Sequence, residues 1–63
     1  MYCLHREEAP DHWVQEMCFQ TELRAYVRAR VMSRVKPCTY RVVDQTTNGV
    51  LAIVRNGKGI EIQ

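Results

Sequence analysis

The chain reads as a small α+β domain: one long or broken helix packed on a three-stranded antiparallel β-meander, with a short strand or an arm at the N-terminus. Three observations predict it. From His12 to Val35 there is neither Gly nor Pro, and Lys36-Pro37 follows as a stop. Two Asn-Gly pairs, Asn48-Gly49 and Asn56-Gly57, mark hairpins in the last third, because type I′ turns need positive φ at both central residues. A chain of 63 residues, 46 % apolar and 25 % charged, has a globular composition but room for one core. A core of that size contributes only ~3–5 kcal/mol, so a staple, a metal or a second subunit is an expected supplement.

In chain order, residues 1–10 form the arm or strand, extended from Tyr2 to His5. Ala9-Pro10-Asp11 reads as a helix entry, with Asp11 capping the free N–H groups of the first turn. The helical region then spans 11–36. As one rod the stretch from His12 to Val35, about 24 residues, would be roughly 36 Å long, which is long for so small a chain. A break near Phe19-Gln20-Thr21, with Thr21 capping a second helix, resolves this.

Within Thr21–Arg34 the run Val27-Arg28-Ala29-Arg30-Val31 alternates like a strand. Glu, Leu, Arg, Ala and Met dominate the segment, however, and all favour helix. On a helix Leu23, Val27, Val31 and Val35 recur at four-residue steps, a stripe expected to cover the sheet. That leaves the arginines flanking it.

The meander covers 39–63. Centring each Asn-Gly pair in a two-residue turn opposes Val50 to Thr47 and Ile53 to Asp44, then Ile53 to Ile60 and Leu51 to Ile62. Period two places Tyr40, Val42, Leu51, Ile53, Ile60 and Ile62 on one face. Arg41, Val43, Val50, Ala52, Val54 and Glu61 fall on the other. That second face is apolar enough to predict burial by a partner or by a second copy, hence a homodimer.

Charge is unevenly spread although the net value is only +2. Residues 1–22 carry Glu7, Glu8, Asp11, Glu16 and Glu22 against Arg6 alone. Beyond them Asp44 and Glu61 stand against eight bases. Arg24 and Arg28 lie one helical turn apart, as do Arg30 and Arg34. The guanidinium fork suits carboxylate and phosphate, so these four residues, extended by Arg55 and Lys58, are the candidate partner-binding set. The competing reading is a solvated helix face bridged to Glu16 or Glu22.

No motif for catalysis or a cofactor is present. Cys3, His5, His12 and Cys18 have the ligand types for zinc but not a finger spacing, so no metal is expected. Three cysteines without paired spacing read as reduced thiols, with Cys3 and Cys18 as small buried hydrophobes. Trp13, Met17, Phe19 and Tyr26 read as core or interface mass. The start MYCLHREEAP lacks a signal-peptide pattern and no run approaches a membrane span, so a cytoplasmic protein is expected.

The layout of a helix, a strand ending near an Asn-Gly turn, and NGVLAIVRNGKGIEIQ resembles the small phage-encoded inhibitors of bacterial defence, anti-CRISPR proteins among them. The likeness covers roughly Thr21 to Gln63. It implies a non-enzymatic protein, in the cytoplasm of a bacterial host, that occupies an acidic surface of a host protein or ribonucleoprotein. The alternative expectation is a nucleic-acid-binding regulator that uses the Arg-rich helix.

Overall fold

Five antiparallel strands and one helix appear in the computed structural model, which describes residues 1–61. They are β1 (Tyr2–Ala9), β2 (His12–Phe19), α1 (Glu22–Val35), β3 (Thr39–Asp44), β4 (Gly49–Arg55) and β5 (Lys58–Glu61). The strands form one sheet in the order β2-β1-β3-β4-β5, and α1 lies across one face of it. The α+β class stands as predicted, but the sheet is wider than the expected three-stranded meander. No helix among the described residues is long and apolar enough to cross a membrane.

The largest correction concerns residues 11–20, expected to be helical. Of these, His12–Phe19 form the edge strand β2, and helix is confined to Glu22–Val35. Asp11 does not cap a helix. It sits at φ 62° in the Pro10-Asp11 turn of the β1–β2 hairpin, and Asp tolerates this left-handed conformation. Once that turn forms, β1 offers a ladder along its whole length, and Trp13, Val14, Cys18 and Phe19 suit a pleated surface. Two register shifts interrupt the pairing, one of them between Leu4 and His5, where Glu16 is the additional residue of β2.

The hairpin aligns Cys3 with Cys18, and the two are joined as a disulfide 15 residues apart in sequence. This corrects the reading of all three cysteines as thiols. Cys38 alone is free, and half-buried. Of the supplements open to so small a core, the structure shows a covalent bond between the first two strands.

The Thr21 cap is as predicted: its hydroxyl accepts the Arg24 amide at 3.2 Å. The helix face is not. Leu23, Val27, Val31 and Val35 are 71 %, 49 %, 47 % and 76 % exposed, whereas Ala25, Ala29 and Ser33 are buried. The two stripes are two residues apart, about 200° around the axis. Sheet side chains explain the choice. Leu4, Tyr40, Val42 and Val54 are fully buried beneath α1, so the helix can approach only with small residues.

The β3–β4 register also differs. The connection is a four-residue turn, Gln45 to Asn48, not a two-residue one, and Gly49 opposes Asp44. Asp44 Oδ1 accepts the Thr46 amide at 2.9 Å, the Asp44 carbonyl accepts the Asn48 amide at 2.7 Å, and only Asn48 of the pair has positive φ. Ile53 thus opposes Arg41, and Tyr40, Val42, Ala52 and Val54 share the helix-facing side. The β4–β5 turn follows expectation: Asn56 and Gly57 have φ 53° and 76°, Arg55 opposes Lys58, and Ile53 opposes Ile60. The expected Leu51–Ile62 pair lies outside the described residues.

Candidate functional site

The outer face of α1 exposes a row of large apolar side chains. Leu23, Val27, Val31 and Val35 run along it without a cover, and Met17 and Phe19 of β2 lie beside them. One shallow groove is lined by Phe19, Leu23, Arg24, Val27, Arg28 and Val31. A second continues it along Met17, Arg28, Val31, Met32, Val35 and Lys36. The two share Arg28 and Val31, so the apolar strip runs the length of the helix. A contiguous exposed apolar strip edged by charge is the usual mark of an interaction surface.

The six cations expected to act together fall into three groups. Arg24 and Arg28 line the apolar groove and are exposed. Arg30 and Arg34 turn instead toward the β4–β5 hairpin. Arg30 Nε donates to the Gly57 carbonyl at 3.1 Å, and Arg34 lies over Gly57 so closely that a Cβ there would sit 2.9 Å from its Nε. Arg55 and Lys58 are on the opposite side of the sheet, since Arg55 alternates with the buried Val54 and opposes Lys58. Arg55 Nε donates to Thr39 Oγ1 at 3.1 Å.

Sequence reasoning missed a cluster on that uncovered sheet face. Adjacent strands align Gln15, His5, Arg41, Ile53 and Ile60 in one row. Trp13 and Glu7, then Thr39, Arg55 and Lys58, occupy the neighbouring positions. The Arg41 guanidinium lies 4.3 Å from the Trp13 ring centroid, and its Nη2 is 3.5 Å from His5 Nδ1. Burial, with the Arg41 charge beside it, lowers the His5 pKa below its ordinary value, and a Gln15 hydrogen bond partly offsets this. Arg41 Nε is buried without a hydrogen-bond partner. The missing signal was β2 itself, because Trp13 joins this face only when His12–Phe19 is a strand.

At the far end of the helix-facing side, Arg6 Nε donates to Glu16 Oε2 at 2.6 Å, and the Tyr40 hydroxyl donates to Glu16 Oε1 at 3.3 Å. Burial and then the Glu16 charge push the Tyr40 pKa up. These contacts tie the bulged β2 to β1 and β3. Cys3 and Cys18, weighed above as zinc ligands, are consumed by their disulfide, and no group of three His, Cys, Asp or Glu residues converges among the described residues.

Together these features define a class, a small α+β protein with a half-covered antiparallel sheet and an exposed apolar helix strip. No protein-family model, curated protein or solved structure matches the chain.

Proposed function

We propose that the chain is a non-enzymatic binding protein that acts by occupying a surface of a protein or ribonucleoprotein complex. This is the mode that the likeness to phage-encoded anti-defence inhibitors implies. The observation that carries it is the uncovered strip Leu23, Val27, Val31 and Val35, edged by Arg24 and Arg28. Its complement is a partner segment with apolar residues flanked by carboxylates: the strip supplies area, and the guanidinium groups supply orientation. A second copy is the less favoured occupant. Stacking the strip on its own image brings Arg24 and Arg28 against like charges, with Glu22 the one acid on α1.

The probe is an amphipathic peptide with leucines on one helical face and glutamates on both flanks, followed by fluorescence anisotropy. The wild-type chain binds it, and Arg24→Glu combined with Arg28→Glu weakens binding by about tenfold or more while the fold is retained. A peptide with lysine in place of glutamate prefers the charge-reversed variant. Equal affinity of the wild type for both peptides overturns the proposal. Sedimentation at micromolar concentration reads self-association separately, and a dimer broken by Val27→Glu would assign the strip to a second copy instead.

A further inference from the structure

We propose that the uncovered face of the sheet binds single-stranded nucleic acid, with Trp13 and Arg41 as the stacking platform and Arg55 and Lys58 as phosphate contacts. This surface is separate from the outer face of α1, and the proposal does not depend on what that helix binds.

Charge complementarity is the first support. Arg41, Arg55 and Lys58 sit on neighbouring strands of this face, with Glu7 as the acid among them. Among the described residues the ion pairs are Arg6–Glu16 and His12–Glu8, and neither involves these three cations. The acids Glu8 and Asp11 lie toward the β1–β2 turn, while Glu16 is bound to Arg6. Burial, with the Arg41 charge beside it, holds His5 toward its neutral form, so the cations of this face are Arg41, Arg55 and Lys58. A face of this sign repels its own copy and attracts a polyanion.

The geometry then favours a nucleic acid strand over a carboxylate-rich protein. The Arg41 guanidinium lies against the Trp13 indole at 4.3 Å, and aromatic rings and guanidinium planes are side-chain surfaces on which unpaired bases stack. A carboxylate can pair with the guanidinium but has no ring to lay on the indole, so the stacked pair favours a base. From β2 to β5 the platform spans four interstrand gaps, about 19 Å, which suits an extended strand laid across the sheet. Ile53 and Ile60, between Arg41 and Lys58, add an apolar floor that bases tolerate and phosphates avoid.

Trp13 is the single tryptophan, so its emission reports directly on the site. The test titrates the full chain with a single-stranded oligonucleotide of about eight nucleotides at low salt. Saturable change of Trp13 emission is expected, with log K falling against log salt at a slope of about −1.4, near −0.7 for each of two phosphates. Arg55→Glu combined with Lys58→Glu, both exposed positions, weakens binding by about tenfold or more, whereas Arg24→Glu with Arg28→Glu leaves it within twofold or so. An abasic oligonucleotide of equal length binds about fivefold or more weakly, because stacking is lost. Unchanged Trp13 emission, equal affinity for the abasic strand, or a larger loss from the helix variant overturns the assignment. Emission change with polyglutamate but not with the oligonucleotide also overturns it, in favour of an acidic protein.

Discussion

The Ser33 hydroxyl accepts the buried Gly57 amide at 2.8 Å and donates to the Arg30 carbonyl at 3.1 Å, joining the last turns of α1 to the β4–β5 hairpin. Arg30 and Arg34 close around the same turn. Half of the helix arginines therefore serve the fold, and the pair left facing the apolar strip is Arg24 and Arg28.

Ser33→Ala leaves the Gly57 N–H buried without an acceptor. The expected cost is ~1–3 kcal/mol. In a domain this small each kcal/mol lowers the midpoint of thermal unfolding by about 4–8 °C. Calorimetry reads the shift, and faster hydrogen exchange at Gly57 places it.

Gly59 lies under Tyr26. A Cβ at position 59 would overlap the Tyr26 hydroxyl and ring edge, so Gly59→Ala forces the ring away and destabilises the chain by about 1–3 kcal/mol. Adding Tyr26→Ala to Gly59→Ala should cost less than the sum of the single changes, and a double-mutant cycle measures that coupling.

The two stripes of α1 respond oppositely. Val27→Ser and Val31→Ser act on exposed positions and stay within about 0.5 kcal/mol of wild type. Ala29→Leu drives a larger side chain into the helix–sheet contact and costs about 1–3 kcal/mol. Urea denaturation compares them, and the reverse ranking would return the valines to the core.

The Cys3–Cys18 bond closes a loop of 15 residues, a constraint worth ~3 kcal/mol in the chain-entropy picture. Reduction should lower the unfolding midpoint without a change in the oligonucleotide or peptide selectivity. Paired melts with and without reductant measure how much fold survives in a reducing compartment, which decides whether the chain can work in a cytoplasm.

His5 carries the pH dependence that the structure makes specific. Its folded pKa lies below the unfolded value of about 6.5, so the unfolded chain takes up the proton first. The stability linked to neutral His5 is present above that value and is lost as pH falls through it. Melts between about pH 5 and 7.5 should show a smaller loss in His5→Gln than in wild type.

The sequence displayed its turns and caps more clearly than its faces. Asn56-Gly57, Thr21 and Lys36-Pro37 act through local chemistry and were legible. His12–Phe19 was not, because its strand state depends on pairing with β1, a contact no local pattern announces. The α1 register was misread for a related reason. Valines look more buried than alanines until the bulk of Tyr40 and Leu4 beneath the helix is known. At the candidate site, spacing alone puts Arg24 and Arg28 one turn apart, but it does not show that the strip they border is exposed rather than core. Trp13 and Arg41, far apart in sequence, meet only through the pairing of β2, β1 and β3, which no local pattern announces.

Amide chemical-shift mapping with the glutamate-flanked amphipathic peptide tests most directly whether the outer face of α1 is a docking surface. Shifts at Leu23, Val27, Val31 and Val35, joined by Met17 and Phe19 across the groove, are the expected result. Shifts confined to the opposite sheet face, or none at saturating peptide, would contradict it.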